Sequence, residues 1–591
     1  MTRRVDPVTL QVLVSRLSGI VQEMQQNIFR TGYSTIVRES HDASCMLMDA
    51  DGEVIGEHAV LPLHVGCMPA VVRAIVAAFE SDIHPGDAFI TNHPYISGVP
   101  HAMDMAVIAP VFHGGRLIAF SGSIAHKSDL GGVIPGTGYA QARELFQEGI
   151  QYPPVRLMSR GVMQRDLEAI LRANSRTPDL IMGDIRGQIG VARLGERRLA
   201  ETVEKYGVDT VLDVFADVHR VSEERLRAAL RTWPDGAYEA ESFVDTDGID
   251  LDRRGRYHVR VEKHGDRIHF DFSGCDDQVA GPINIQPALA RSCLYYAIVG
   301  FVDPTLPNNA GVARVVETTF RPGSVLAAHY PAPHNTYMAS AIALTEAALQ
   351  AMSGFVPERR HAGNGGVGAN SITGKRPDGT TFVQYELIGS AYGGRANGDG
   401  ASGIDVLLSN GRTAPIEILE SEYPTRVERF ELIRDSAGAG KFRGGIAPRR
   451  VYRMLAPEAQ WTLRGGRHDV PAFGVYGGSQ GRVGVAIRRT PAGEETRLPS
   501  RFSGVRLEAN DVAILEKAGG GGFGDPRERP FNAVLADVLD GYVSRNAAIA
   551  DYGVDPQRLD EKLRRWHASK PEKNGDQIVV FLETWIANHG M

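Results

Sequence analysis

The chain has 591 residues, 43% of them hydrophobic, with 64 Lys and Arg against 71 Asp and Glu and a formal net charge of -7. That length exceeds one compact core and sets an expectation of two to four domains. The charge is mixed, with no basic stripe, which excludes nucleic acid as a leading partner. Four scattered cysteines (Cys45, Cys67, Cys275, Cys293) without a CxxC pair fit reduced thiols in the cytoplasm, and no apolar run approaching about 18 residues suggests a membrane span.

In chain order, the first periodic stretch runs from Pro7 to Gly32. Leu10, Leu13, Val14, Leu17, Ile20, Val21, Met24 and Ile28 follow the helical period, and Asp6 stands where a cap belongs. Thr35 to Asp42 leads into SCMLMDADGEVIGE, read as a hairpin around Asp51-Gly52, so Asp42 stands at a strand entrance. Met68 to Phe79 reads as a second amphipathic helix and DAFITN as a strand.

The stretch from His93 to Asp129 carries the chemistry. It holds two His-x-x-Asp units, His101 with Asp104 and His126 with Asp129. Between them, AVIAPVF and RLIAFSGSIA are β-prone and His113-Gly114-Gly115 is a turn signal. A hairpin brings its outer ends together, so the two units are expected to meet. Imidazole nitrogen and carboxylate oxygen suit Zn²⁺ or Mn²⁺; a solvated polar turn is the plainer reading, and spacing alone leaves both open. Gly98, Gly131 and Gly132 permit close backbone approach to a ligand. Farther on, Glu144 and Glu148 lie on a short helical piece, and Glu148, just before Gly149, is a candidate to point into a site.

Residues 161–236 read as three helices, the second with a break expected near Gly187 or Gly195. From Ala237 the period becomes two, giving an antiparallel sheet that turns at His264-Gly265-Asp266, then helices from Pro287 and Met338. Gly363–Gly366 and Tyr392–Arg395 are glycine-rich, but neither is a phosphate loop or a dinucleotide fingerprint, so no nucleotide site is expected on this chain. From residue 415 the pattern is short strands, EILESEYPTRVERFELIRDSAG among them, suggesting a sandwich or barrel-like module. The amides of Gly519–Gly522 suit an anion site or a contact between subunits, and the tail is helical. The fold class is therefore α+β and multidomain, with mixed and antiparallel sheets, a helical segment and a β-rich C-terminal module. The expected divisions are 1–160, 161–236, 237–414, 415–530 and 531–591.

The segments RESHDASCMLMDADGEVI, TNHPYISGVPHAMDMAVIAPVF, AHKSDLGGVIPG, FQEGIQYPPVRL, DFSGCDDQVAGPIN and AGGGGFGDP span essentially the whole chain. In that order and spacing the sequence resembles the hydantoinase B/oxoprolinase family, the B-type subunits of ATP-dependent hydantoinases and lactamases. Relatives of the same fold occur in 5-oxoprolinase and in acetone and acetophenone carboxylases. The resemblance implies a divalent metal, Zn or Mn, on His101, Asp104 and His126, with Asp42 as fourth ligand. Asp104 and Asp129 then become the catalytic carboxylates, Asp129 either orienting His126 or serving as base for water. His93, Tyr95, Gly131, Gly132 and Glu148 are the candidate substrate contacts. The family's N-D-P-Y reads Asn92-His93-Pro94-Tyr95 here, and its G-G-T-H-x-P-D reads Gly98-Val99-Pro100-His101-Ala102-Met103-Asp104 at its end. The ligating residues persist, but the loop before His101 is stiffer and more apolar, so a substrate does not transfer from any relative.

The same resemblance implies an A-type partner of actin-like ATPase fold, expected as A2B2, which uses ATP to phosphorylate a cyclic amide. This chain would open the ring with metal-activated water. The alternative is a subunit of an ATP-dependent ketone carboxylase, against which the chain's length argues. A scaffold subunit with a dead site is a third reading, opposed by the retention of His101, Asp104 and His126.

Overall fold

The computed structural model describes residues 4–58 and 61–569. Asp6 accepts hydrogen bonds from the amides of Val8 and Thr9 and starts a helix over Pro7–Thr31. The helix buries Leu13, Leu17, Ile20, Val21, Met24 and Ile28. These pack with residues of the helices Pro178–Tyr206 and Val208–Leu230 over one face of a seven-stranded sheet. The strand order is Val54–Glu57, Ala43–Asp49, Arg116–His126, Asp104–His113, Ala88–Thr91, Val155–Ser159, Val162–Met163. Every neighbouring pair is antiparallel.

Two of these strands form the hairpin expected around His113-Gly114-Gly115. Gly114 and Gly115 take φ of 56° and 81°, the left-handed pair that lets a two-residue turn follow the twist of its strands. The helix Pro178–Tyr206 lies across this hairpin without a break at Gly187 or Gly195. A Cβ on Gly195 would reach the Met24 Cε at 3.0 Å and overlap the Ser121 hydroxyl. That glycine therefore serves close packing on the sheet, not helix termination.

On the other face, Met68, Val71, Val72 and Ile75 of the helix Met68–Phe79 pack with Phe89, Ile108 and Phe120. Contrary to the expectation of no long apolar run, Pro62–Phe79 reaches a mean hydropathy of 1.6 over 18 residues. The structure splits it at Gly66-Cys67 into Pro62–Val65 and Met68–Phe79, and its apolar side chains fill a core.

A second sheet follows in the order Val316–Thr319, Arg267–Asp271, Gly255–His264, Gly236–Val244, its first pair parallel. The helices Pro287–Val302 and Met338–Met352 pack with it into a core that also takes in Leu63 and Cys67. The core thus joins the 1–160 segment to the 237–414 segment.

The C-terminal region holds two open sheets, and among the described residues neither closes into a barrel. One orders Thr381–Leu387, Ala369–Lys375, Glu458–Arg464, Arg501–Glu508; the other Thr425–Leu432, Pro448–Met454, Val512–Glu516, Val485–Arg489, Glu495–Leu498. Trp461, Tyr452, Phe502 and Leu515 meet in one core. The first sheet draws two strands from each side of residue 414, so the boundary expected there does not separate two cores. EILESEY is not a strand: Ile416–Glu422 is helical, and the strand begins at Thr425.

Gly519–Gly522 is neither an anion site nor an exposed loop. The successive amides of 519 to 524 donate in turn to the carbonyls of Arg482, Gly445, Gly363, Ser479, Phe442 and Val475. Residues 519 and 522 return to one neighbouring segment and 520 and 523 to another, which is the threefold period of an extended glycine helix. A Cβ would overlap the carbonyls of Ser436 at Gly519, Tyr392 at Gly520, Phe473 at Gly521 and Ala439 at Gly522. The glycine-rich stretches at 363–366 and 392–395 are walls of this same bundle. Helices Phe531–Leu539, Arg545–Ala550 and Pro556–Ser569 follow; residues 570–591 lie outside the described residues.

Candidate metal centre

The hairpin delivers the centre. Asp104 opens one strand and His126 closes the other, and the two are paired in register. His101 sits one tight turn earlier, its carbonyl accepting from the Asp104 amide at 3.1 Å. Asp42 arrives on the next strand over: Ala43 pairs with Ala125, and the His126 amide donates to the Asp42 carbonyl at 3.1 Å. His41 takes a left-handed φ of 59° and stacks on Phe29 at 3.7 Å, fixing the turn that presents Asp42.

Three donor atoms converge. Asp104 Oδ1 lies 3.3 Å from His101 Nε2 and 3.1 Å from His126 Nδ1, and the two nitrogens are 3.2 Å apart. Tetrahedral ligands held ~2.0–2.1 Å from one ion sit ~3.3–3.4 Å from each other, so the separations are compatible with one shared ion. Asp104 Oδ2 and His126 Nε2 are buried without a hydrogen-bond partner. A residue with no sequence signal completes the surroundings: His64, a lone histidine in an apolar stretch. Its Nε2 lies 3.7 Å from Asp104 Oδ2 and its Nδ1 3.2 Å from Ser44 Oγ. Asp42, His64 and Asp104 form a second group with all donor atoms within 4.8 Å, and Asp104 belongs to both. This nitrogen and oxygen set fits a divalent ion of the Zn or Mn type.

The electrostatics agree. Burial pushes the Asp104 carboxyl up, but the charge and hydrogen bonds of His101, His126 and His64 together hold it well below the usual carboxylate range. Burial, reinforced by repulsion from Asp104, lifts Asp42 to about 7. Burial holds His126 down at about 3, so its ring is neutral and a nitrogen lone pair is free to ligate.

The support around the histidines was not legible in the sequence. Asn335 places Oδ1 3.2 Å from His101 Nδ1. An amide oxygen only accepts, so His101 Nδ1 donates to it and Nε2 is the atom turned towards Asp104 and His126. Tyr337 meets His101 edge-on at 4.8 Å, and Tyr385 stacks on His126 at 5.0 Å.

Four of the ten sequence candidates, Asp42, His101, Asp104 and His126, come together here. Asp129 does not orient His126. Its carboxylate is buried and accepts from the Gly136 amide, the Arg176 amide and the Arg176 guanidinium. A carboxylate so engaged fixes the loop after the hairpin. Glu148 accepts from the amides of His334 and Asn335, the latter at 2.6 Å, and burial lifts its carboxyl to about 8. Tyr95 donates to the carbonyls of His329 and Ala332, and His93 packs against Tyr95 and Tyr330. A Cβ on Gly131 would meet the Asn174 carbonyl at 2.6 Å and one on Gly132 the Gln147 carbonyl at 2.9 Å, so both are packing glycines. None of His93, Tyr95, Gly131, Gly132 and Glu148 lines the cavity beside the centre.

That cavity holds about 80 Å³ for water-sized occupants. Asp42, His64, His101 and His126 lie on its wall, with Tyr337, Tyr385 and an arginine-rich side of Arg464, Arg467 and Arg501. The fold and site together define a multidomain α+β protein with a buried His/Asp centre on the wall of a pocket.

The chain belongs to the hydantoinase B/oxoprolinase family, whose profile matches residues 6–526. It is 33% identical over 578 residues to a protein assigned as the B chain of a D-/L-hydantoinase from Pseudomonas sp. (strain NS671), covering 94% of this chain and 97% of the relative. It is 31% identical over 563 residues to the beta chain of the caprolactamase of Pseudomonas jessenii, covering 93% and 96%. The crystal structure of the ATP-dependent caprolactamase from that organism superposes with a TM-score of 0.85 at 28% identity, covering 96% of this chain and 100% of the other.

Proposed function

We propose that this chain is the metal-dependent subunit of an ATP-dependent cyclic-amide hydrolase, acting on a ring phosphorylated by an A-type partner of actin-like fold. The observation that carries the reading is the convergence of His101 Nε2, Asp104 Oδ1 and His126 Nδ1 within 3.1–3.3 Å at the wall of a cavity. Relatives named for hydantoin and caprolactam hydrolysis support the choice of substrate class. The orphaned buried Asp104 Oδ2 and His126 Nε2 fit a site built for more than its own hydrogen bonds.

His101, Asp104 and His126 would hold the ion, with Asp42 and His64 grouped beside Asp104. When bound, a divalent ion supplies Lewis acidity, polarising an amide-type oxygen and acidifying water. Asp104 stays ionised and draws the two imidazoles into place. Burial and the Asp104 charge lift Asp42 to about 7, so its carboxyl would be the proton acceptor of the centre near neutral pH. Tyr337, Tyr385 and the apolar wall exclude bulk water, which strengthens each of these interactions.

The test is reconstitution with the A-type partner, ATP and Zn or Mn on hydantoin, 5-oxoproline and caprolactam, with ring-opened product and phosphate followed together. Stoichiometric ring opening, lost in His101→Ala and His126→Ala, is the expected result. Carboxylation of a ketone in bicarbonate, with every ring intact, would replace this reading by the carboxylase one.

A further inference from the structure

We propose that Arg464 is an oxyanion anchor, gripping a phosphoryl or carboxylate group of the substrate while the reacting carbon lies at the His101–Asp104–His126 cluster. The proposal deepens the hydrolase reading and rests on it for the substrate's chemistry.

Arg464 ends the strand Glu458–Arg464 and lines the same cavity as Asp42, His101 and His126. Its guanidinium donates through Nη1 to the Asn335 carbonyl at 3.3 Å and through Nη2 to the Tyr385 hydroxyl. Both acceptors are neutral, and each belongs to a residue that touches a candidate metal ligand: Asn335 bonds His101 and Tyr385 stacks on His126. The arginine is thus fixed beside both histidines without spending its charge. Two of its five N–H groups are used, leaving three for a ligand.

The other arginines of this region show the contrast. Arg467, on the same wall, is paired with Glu346, and buried Arg450 is paired with Glu386. Among the described residues, no ion pair within 4.0 Å reaches Arg464 or Arg501. Arg501 is 2% exposed, lines the same cavity and donates to the Thr246 carbonyl. Of the carboxylates on the cavity wall, Glu346 is engaged by Arg467 and Asp245 by the amides of His468, Asp469 and Val470, while Asp42 feels the Arg464 charge without an ion pair within 4.0 Å. An unpaired guanidinium on the wall of a confined cavity costs desolvation that an anionic ligand offsets. Its positive charge and free N–H donors suit the oxygens of a carboxylate or a phosphate.

The oxyanion has two possible sources: a phosphoryl group placed on the amide oxygen by the partner, or a carboxylate carried by the ring. Ligand-observed NMR on the full chain, loaded with Zn, measures dissociation constants for inorganic phosphate and for acetate separately. Tighter binding of phosphate assigns the anchor to the transferred group, and tighter binding of acetate assigns it to a ring substituent. In Arg464→Gln the preferred anion binds at least tenfold more weakly, with metal content and melting temperature retained. Arg464→Lys keeps the charge but cannot make both wall hydrogen bonds, and it retains binding within about fivefold. No binding of either anion by the native chain, an affinity unchanged in Arg464→Gln, or equal loss in Arg464→Lys would each overturn the proposal, the last by showing that the arginine is only a strut. None of these readouts requires turnover, so ring hydrolysis can fail or succeed independently.

Discussion

Asn335→Ala removes one hydrogen bond and leaves all candidate metal ligands in place. The lost bond runs from His101 Nδ1 to Asn335 Oδ1 at 3.2 Å, inside a site where His101 is 1% exposed. The backbone of residue 335 keeps its two other ties, its amide to Glu148 and its carbonyl to Arg464. The change therefore isolates the orientation of one imidazole. Without the amide oxygen, His101 divides between tautomers and can present a protonated Nε2 to Asp104, a form that cannot ligate. Partners of this kind contribute about 10- to 100-fold to metal affinity, which is ~1.4–2.7 kcal/mol. Competition with a chelator of known affinity for Zn or Mn measures it, with circular dichroism confirming the fold and His101→Ala as the benchmark for losing a ligand. An Asn335→Ala affinity within twofold of the native value, alongside metal loss in His101→Ala, would refute the orienting role.

Other expectations follow from the same geometry. Purified protein loaded with Zn or Mn should hold the ion in the native form and lose it in both His126→Ala and Asp104→Asn, read by elemental mass spectrometry against folded controls. Gly520→Ala should cost more than ~4 kcal/mol or abolish soluble expression, because its Cβ would sit 2.6 Å from the Tyr392 carbonyl carbon with backbone on the opposing side. Gly190→Ala, in the middle of the helix Pro178–Tyr206 with nothing within 4 Å, should instead stabilise by ~0.8–1 kcal/mol in denaturant melts. Glu148 holds its proton in the folded chain until about 8 against 4.5 unfolded. Its contribution is therefore fully present below pH 4.5 and is lost as pH rises towards 8, by no more than roughly 4–5 kcal/mol. Glu148→Gln should flatten the native slope of stability against pH across that window; an unchanged slope would count against the buried acid.

Local patterning made the hairpin and its candidate ligands legible. Alternating apolar runs around His113-Gly114-Gly115 define a hairpin whose ends must meet, and Asp104 and His126 do pair in register. His64 and Asn335 were invisible for the opposite reason. Each is a lone polar residue, 37 and 234 positions from His101, brought in by packing between segments. The glycines misled where they were read one at a time. At 519–522 a run of glycine suggests free amides, but the same absence of Cβ lets neighbouring chains close in and take every amide. Asp129 misled through spacing alone: its His-x-x-Asp repeats that of Asp104, yet Arg176 reaches it first.

Three of the residues expected to touch substrate, His93, Tyr95 and Glu148, share a different role, because they converge on one segment. Tyr95 bonds the carbonyls of His329 and Ala332, Glu148 bonds the amides of His334 and Asn335, and His93 packs on Tyr330. On its other side the segment supplies Asn335 to His101 and passes Thr336 and Tyr337 into the cavity wall. The sequence around His93–Tyr95 and Glu148 is thus tied to the centre through a brace. A change there should move the position of His101 and the shape of the pocket together. Tyr95→Phe removes two hydrogen bonds outside the cavity. On this reasoning it weakens metal affinity in the same direction as Asn335→Ala but less, whereas a direct substrate contact would leave metal affinity untouched and alter only binding of the cyclic amide.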